Sequence, residues 1–214
     1  MKKILHISAF ILILAGSLQV TIAQSENEFK TLIKDGQLGG FASFGAAYSL
    51  IDDRSSIIFN ARGGIMVKHI FSIGFAGATF MNDYQQISPG SSLESSLVGG
   101  YGGAYTEMFL LQHFPIHISI PVIAGLGAVS YSEWDRSTSD GFTQTGILED
   151  ETTFFIVEPG AELNFRMARW LKVALFTNYR FTTPLSERFA DEYSVDRDGI
   201  EGYSFGINLK VGKF

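Results

Sequence analysis

The 214-residue sequence contains no cysteine and only 5 prolines. The lack of cysteine excludes disulfides, thiolate metal sites and a lipid anchor attached to an N-terminal cysteine. Charged residues make up only 18% of the chain, and the formal net charge of −6 does not suit a nucleic-acid-binding protein. Beyond the N-terminus there is no long apolar run, although 46% of the residues are hydrophobic. A chain this apolar without a second such run needs another way to cover its apolar surface.

Residues 1–23 have the features of a secretory signal peptide. Two lysines open the segment, an apolar run follows, and a Thr-Ile-Ala sequence ending at Ala23 suits signal peptidase. Polar residues interrupt the run before it reaches the roughly 20 apolar residues that a membrane anchor needs. We therefore expect export, cleavage after Ala23 and a mature chain that starts at Gln24.

The segment 24–38 separates the leader from the patterned part of the chain. Ser25 and Glu28 have capping-box spacing, and Gly36 could end a short helix. A helix this short is marginal by itself. Two interpretations therefore stay open: a small periplasmic helix or plug, and a disordered tail.

From Gly39 onwards the apolar residues recur with a period of two, which indicates β-strands. In the clearest case, Thr152–Met167, apolar side chains alternate with a face that carries Glu158, Glu162 and Arg166. Eight such strands are predicted, at Gly39–Leu50, Ser56–Val67, Phe71–Asp83, Leu97–Leu111, Ile116–Tyr131, Thr152–Met167, Leu171–Phe181 and Tyr203–Val211.

The connections alternate between short turns and long polar loops, as in outer-membrane barrels. The tight turns fall at 68–70, 112–115 and 168–170, and a somewhat longer turn falls at 52–55. The long loops fall near 84–96, 132–150 and 182–200. Since a sheet can span a bilayer only when it closes on itself, we predict an all-β, eight-stranded, antiparallel up-and-down transmembrane barrel over residues 39–214, with both chain ends in the periplasm.

Aromatic residues near the predicted strand ends indicate two interfacial girdles. They are Phe71, Phe114 and Trp170 on the turn side and Tyr48, Tyr84, Tyr131, Trp134 and Tyr203 on the loop side. Two features depart from a regular pattern. Pro159 removes a ladder hydrogen bond, which predicts a local bulge. The residues in phase with the terminal Phe214 are polar, which predicts a change of register near Gly212.

Several glycine-rich strand motifs resemble those of small outer-membrane β-barrel proteins of the OmpA/OmpX-like kind. They are Arg62-Gly63-Gly64, Gly99-Gly100-Tyr101-Gly102-Gly103, Val157-Glu158-Pro159-Gly160-Ala161-Glu162-Leu163, Tyr179-Arg180-Phe181 and Leu209-Lys210-Val211-Gly212-Lys213-Phe214. The resemblance covers roughly 39–214 and implies the outer membrane of a Gram-negative cell. It also implies contact with membrane lipid and lipopolysaccharide, and insertion by the barrel-assembly machinery. It transfers no catalytic residue, cofactor or metal ligand.

The polar face of the strands carries both signs of charge. We predict a barrel-interior polar network of Arg62, Glu107, Glu158, Glu162, Arg166, Lys172, Arg180 and Lys210. Symmetric pairing across the 168–170 turn sets Glu158 opposite Arg180 and Arg166 opposite Lys172, a like-charge contact that needs an acid such as Glu162. Because an eight-stranded barrel is barely wide enough for its own side chains, this pattern favours a packed, salt-bridged interior.

Two motifs suggest a catalytic site or a metal site. His117 and Ser119 share a strand face with the His-x-Ser spacing of some lipid A hydrolases, but they lie at the periplasmic end and point inwards. The acidic stretch 191–201 resembles part of a calcium loop without the remaining ligands, so a solvated acidic loop is the simpler interpretation.

We therefore expect a non-enzymatic outer-membrane barrel with a structural or interaction role, such as adhesion, envelope integrity or binding of a partner through its loops. A lipid-modifying enzyme and a narrow pore or transporter are alternatives. A soluble periplasmic barrel of lipocalin-like shape is another, because alternation alone does not say which face points inwards.

Overall fold

The computed structural model describes residues 38–68, 70–83, 85–86, 93–111, 114–135, 143–144, 151–193 and 195–213. The predicted signal peptide and almost all of the 24–38 segment lie outside these residues. The long strands are β1 (Leu38–Ile51), β2 (Arg54–Val67), β3 (Phe71–Asn82), β4 (Leu93–Leu110), β5 (Ile116–Asp135), β6 (Glu151–Arg166), β7 (Leu171–Thr182) and β8 (Gly202–Gly212). A helix, α1 (Glu187–Tyr193), lies between β7 and β8, and two-residue strands at Gln85–Gln86 and Thr143–Gln144 extend the sheet beside β4 and β5.

The eight long strands form a closed barrel. Each strand pairs antiparallel with its neighbours in the chain, and β1 pairs with β8 from Phe41 opposite Gly212 to Ser49 opposite Ser204. Because the sheet is closed, each of the eight strands pairs with a neighbour on both of its edges. Their backbone groups are therefore hydrogen-bonded within the sheet. The predicted fold class, an antiparallel up-and-down barrel of eight strands, is confirmed.

The barrel has a short-turn end and a long-loop end. The turns at 68–70, 111–115 and 167–170 lie at the short-turn end. The long-loop end carries the long connections and also the β1–β2 turn, which is tighter than predicted. Asp52 and Asp53 form a two-residue turn with φ of 53° and 56°, the conformation of a type I′ hairpin, so the flanking strands run up to them.

The two predicted irregularities of the ladder are absent from the described strands. On both sides of Pro159 the register with β5 and β7 is the same: Glu162 faces Ser119, Pro159 faces Val122, and Val157 faces Phe181. The proline therefore interrupts pairing locally, because it lacks an N–H, without adding a bulge residue. The pairing of β8 also keeps one register as far as Gly212, and Phe214 lies outside the described residues.

Candidate functional site

Side chains alternate between an outer face that is mainly apolar and a lumen that holds the buried charged side chains of the strands. Phe155 and Leu175 point outwards with 66% and 47% of their surface exposed, whereas Glu158 and Arg180 point inwards with 3% and 0% exposed. A lipocalin-like soluble barrel requires the opposite orientation, so that alternative is wrong for this chain. A closed sheet with an apolar outer belt and internally paired backbone is the structure that a β-protein needs to span a membrane.

The centre of the lumen holds four charged side chains, one from each even-numbered strand. We call Arg62, Glu107, Glu162 and Lys210 the Glu162 group. Arg62 Nη1 lies 2.5 Å from Glu162 Oε1, and Lys210 Nζ lies 2.5 Å from Glu107 Oε1 and also contacts Glu162 Oε2. All four side chains are buried. Their contacts join β2, β4, β6 and β8 across the barrel rather than along the sheet.

Neutral donors complete the coordination of both carboxylates in the Glu162 group. Tyr105 and Ser119 each donate a hydroxyl hydrogen bond of 2.5 Å to Glu107, and Asn208 donates one of 3.0 Å to Glu162. Asn164 in turn donates to Ser119 Oγ at 2.7 Å. Because a buried charge is costly unless it is paired and hydrogen-bonded, this shell is what allows carboxylates to reside in the lumen.

A second polar cluster lies closer to the long-loop end. We call Ser49, Tyr101, Glu158, Asn178 and Arg180 the Glu158 group. Tyr101 and Asn178 both donate to the Glu158 carboxylate, the latter at 2.5 Å. Arg180 donates instead to Ser49 Oγ at 2.7 Å and to the Ile200 carbonyl at 3.1 Å.

The predicted facing of Glu158 and Arg180 therefore does not produce an ion pair. The strand register agrees with the prediction, since Val157 faces Phe181 and Gly160 faces Asn178. However, no ion pair joins Glu158 to Arg180, both of which belong to the described part of the chain. The reason is that Arg180 extends towards the last loop while Asn178, one step nearer the barrel centre on the same face, donates to Glu158.

The remaining predicted charges lie towards the short-turn end. Arg166 faces Lys172 in the register, as expected, but it is exposed because it is the last residue of β6, so its predicted place in the interior is wrong. Lys172 is buried, with Nζ 3.4 Å from His117 Nε2 and 5.1 Å from the centre of the Phe109 ring. Glu162 contacts Arg62 and Lys210 rather than separating Arg166 from Lys172.

His117 and Ser119 point into the lumen and contact different residues. Both are buried in the lumen, with 1% and 0% exposed, and neither faces the lipid side of the barrel. The Ser119 hydroxyl donates to Glu107, and the His117 ring lies against Lys172. Among the described residues, no three His, Asp or Glu side chains are placed to hold a metal ion.

The last loop, residues 183–201, closes the long-loop end of the barrel. In the acidic stretch 191–201, predicted to be solvated, Asp196 and Asp198 are exposed, but Ile200 is only 1% exposed, and Leu185 and Phe189 earlier in the loop are 1% and 2% exposed. Ser186 caps helix α1 through a bond from Phe189 N at 3.4 Å, and the helix presents Phe189 and Ala190 to the barrel mouth. Leu185, Phe189 and Ile200 belong to one apolar cluster whose other members include Ile51, Ile58, Phe80, Leu97, Val129, Phe154 and Ile156.

Backbone hydrogen bonds fix the last loop to the β1–β2 turn. Asp52 N donates to Gly199 O at 2.7 Å, and Asp52 Oδ1 accepts from Asp196 N at 2.9 Å. Within the loop, Leu185 N donates to Arg197 O at 2.9 Å. The loop is therefore ordered and closes the barrel mouth, and we call residues 183–201 the plug.

An open cleft of about 400 Å³ lies between this loop and the outer wall of β1 and β8. Tyr48, Tyr203 and Phe205 form its apolar wall. Five carboxylates and no lysine or arginine occur among the described residues that line it: Asp52, Asp53, Asp196, Asp198 and Glu201. The cleft is therefore lined by acids, one of which, Asp52, is paired with Arg54 at 3.1 Å.

The predicted aromatic girdles are partly as expected. Trp170 and Phe114 are exposed at the short-turn end, and Tyr48 and Tyr203 are exposed near the long-loop end. Tyr131 differs, because it has the inward phase of β5 and stacks on Tyr193 of α1 with ring centres 4.4 Å apart. Tyr84 and the Trp134 side chain lie outside the described residues. Within the part of the chain that the structure describes, no helix is long and apolar enough to cross a membrane.

The sequence analysis did not predict the uncharged hydrogen-bond donors of the interior. Tyr101 and Tyr105 share the inward phase of Glu107 on β4, so alternation could have placed them beside the carboxylates. The plug was harder to detect, since its helix has only seven residues. Ser186 directly before Glu187 is the N-cap signal that marks it.

Comparisons with known proteins find similar structures only. No protein-family model matches the chain, and no curated protein sequence does. Neisserial surface protein A is 12% identical, with 83% of this chain and 97% of that one covered and a TM-score of 0.49. Ail of Yersinia pestis, solved with the heparin analogue sucrose octasulfate, is 12% identical over 82% and 97%, with a TM-score of 0.46. The N-terminal barrel of Pseudomonas aeruginosa OprF is 9% identical over 82% and 97%, with a TM-score of 0.39.

At these identities the comparisons concern the fold alone. The strand pairing of the chain itself establishes that fold: eight antiparallel strands, closed by β1 on β8, with a polar lumen and an apolar belt. The chain thus has the architecture of the small, OmpA/OmpX-like outer-membrane β-barrels.

Proposed function

We propose that this protein is a sealed outer-membrane anchor that presents a preordered acidic face for interactions outside the cell. The observation that carries the proposal is the last loop, whose apolar residues fill the barrel mouth while Asp196 and Asp198 remain exposed. An interaction surface needs residues held in place, and a lumen filled by ion pairs and capped by a plug supplies that support. The role is structural or interactive, with no catalytic step.

The proposed orientation places the short-turn end in the periplasm and the long-loop end outside. Barrels of this kind have short periplasmic turns and longer external loops. Basic residues mark the short-turn end, where Lys68, Arg169 and Lys213 are exposed. This orientation also agrees with the predicted signal peptide and with termini that begin β1 and end β8 on the same side.

The proposed partners follow from the two surfaces. The apolar belt contacts membrane lipid, including the acyl chains of lipopolysaccharide, and insertion requires the barrel-assembly machinery. The acidic cleft favours a cationic partner over a polyanion, because like charges repel across an interface. The heparin analogue bound to Ail is a polysulfate, so we do not extend that kind of ligand to this chain.

The absence of native cysteine allows a direct test of the proposed orientation. Asp198→Cys places a thiol on the exposed last loop, and Arg169→Cys places its matched control on an exposed turn at the other end. Intact cells are treated with a membrane-impermeant maleimide, and the purified protein is analysed for label. We expect labelling of Asp198→Cys in intact cells and of Arg169→Cys only after the outer membrane is permeabilised. The reverse pattern contradicts the proposed orientation.

A further inference from the structure

A small cavity lies in the lumen between the Glu162 group and the Glu158 group. Its volume is about 10 Å³. The polar residues that line it include Asn60 and Arg62 on one side and Tyr101, Glu158 and Asn178 on the other. It is therefore the place where the two polar clusters of the barrel approach each other.

Three polar atoms of the residues that line this cavity have no hydrogen-bond partner within the described part of the chain. They are Arg62 Nε, Asn60 Oδ1 and Asn178 Oδ1. Arg62 and Asn178 are only 4% and 5% exposed. The amide of Asn178 is oriented unambiguously, because its nitrogen donates to the Glu158 carboxylate and its oxygen is left free. Buried polar atoms of this kind are normally satisfied by protein or by ordered water.

The chemistry of these atoms identifies the ligand. Arg62 Nε is an N–H donor and the two amide oxygens are acceptors, so a single ligand that pairs with all three accepts one hydrogen bond and donates two. A metal ion cannot accept from an N–H, and a simple anion cannot donate to a carbonyl. A water molecule can do both, and a volume of about one solvent probe, roughly 10–15 Å³, holds a single water. We propose that this cavity is a binding site for one ordered water, held by Arg62, Asn60 and Asn178.

This water joins the two polar clusters into one hydrogen-bonded column. Arg62 connects it to Glu162 and Lys210, and Asn178 connects it to Glu158 and Tyr101. The apolar cluster under the last loop lies between the column and the barrel mouth, so we expect the water to exchange slowly with solvent. The inference rests on the geometry of the lumen alone, and it is independent of which barrel end faces outwards.

Nuclear magnetic resonance on the intact mature protein tests the site. The protein is labelled with ¹⁵N-arginine and folded in micelles, and magnetisation transfer from water to the Arg Nε–H groups is measured. Arg180 is a matched internal control, since its Nε donates to the Ile200 carbonyl. We expect a cross-peak with the sign of a long-lived bound water at Arg62 and none at Arg180. An observed Arg62 signal without the cross-peak, or equal cross-peaks at both arginines, overturns the proposal.

A pair of variants locates the water. Ala78 lines the cavity, whereas Ala76 lies one step away on the same inward face of β3 and does not. We expect Ala78→Val to abolish the Arg62 cross-peak and Ala76→Val to retain it. Persistence of the cross-peak in folded Ala78→Val contradicts the assigned position. The measurement on the unsubstituted protein decides the proposal even if a variant does not fold.

Discussion

Lys210 Nζ lies 2.5 Å from Glu107 and also contacts Glu162, so one ammonium group bridges carboxylates from two other strands. The three residues lie on β4, β6 and β8, which do not neighbour one another in the sheet. The strand ladder alone closes the barrel wall, whereas this bridge links opposite parts of the wall through the lumen. Charge pairing therefore specifies how the interior packs, in addition to occupying it.

Removal of the bridging ammonium should destabilise the barrel strongly. Lys210→Met keeps the length of the side chain but leaves Glu107 and Glu162 short of a counter-ion, at a cost of about 3–5 kcal/mol in the free energy of unfolding. Urea unfolding in lipid vesicles measures the change, and Lys213→Met, at an exposed position, is the control. A loss no greater than that of the control contradicts the bridging role of Lys210.

Double-mutant cycles should separate a true pair from an apparent one. Arg62 and Glu162 contact each other directly, so Arg62→Met and Glu162→Gln should be non-additive by about 0.5–3 kcal/mol in unfolding free energy. Glu158 and Arg180 have separate partners, so Glu158→Gln should cost nearly the same with and without Arg180→Met. If the coupling energy of Glu158 and Arg180 is larger than that of Arg62 and Glu162, the partners assigned to these four side chains are contradicted.

The last loop should resist protease as long as its apolar residues stay in the barrel mouth. Phe189→Asn introduces a polar amide into an apolar cluster and should release the loop. Arg188 and Arg197 are already exposed, but trypsin cleaves beside them only when the backbone of the loop is free to move. Limited proteolysis of the folded barrel measures the rate of cleavage. Glu187→Gln, which removes only the exposed ion pair with Arg197, is the control and should be cut nearly as slowly as the unsubstituted protein, because exposed ion pairs contribute little. Equal rates for all three proteins would show that the apolar residues do not hold the plug in the barrel mouth.

Close approach of two strands makes one glycine pair essential. Gly103 faces Gly125, and a Cβ on Gly103 would lie 2.1 Å from the Ala124 carbonyl oxygen. Gly77 is a matched control, because a Cβ there would lie 3.5 Å from its nearest neighbour, the Tyr101 carbonyl oxygen. Gly103→Ala should therefore lower the yield of refolded barrel much more than Gly77→Ala. The heat-dependent shift in gel mobility reports the folded fraction, and equal yields contradict the steric argument.

The alternation of apolar and polar residues predicts the barrel strands well, because every strand has one face towards lipid and one towards the lumen. A residue that faces lipid must be apolar, so the bounds of β3 and β7 differ from the prediction by a single residue. The register across the turn before β7 also follows from the sequence, since the short turn at 167–170 leaves little choice of pairing.

Specific side-chain contacts are less predictable than the wall that carries them. The strand register places Glu158 and Arg180 opposite each other, which predicts an ion pair. Because long flexible side chains can reach several partners within one lumen, each contacts a different residue instead. The apolar residues of the last loop also escaped prediction, because Leu185 and Phe189 span only about one helical turn and Ile200 is far from both in sequence, so no repeated period marks them. Their shared surroundings arise only when the closed barrel provides a mouth for them to fill.

Quenching of single tryptophans by lipid tests the central claim, the orientation of the two strand faces. In a background with Trp134 and Trp170 replaced by Phe, Leu175→Trp places an indole on the outer face of β7, and Phe176→Trp places one in the lumen. The protein is folded into vesicles whose lipids carry bromine atoms on the acyl chains. We expect strong quenching of Leu175→Trp and little quenching of Phe176→Trp. Strong quenching of Phe176→Trp with none of Leu175→Trp would contradict the membrane-spanning barrel described above.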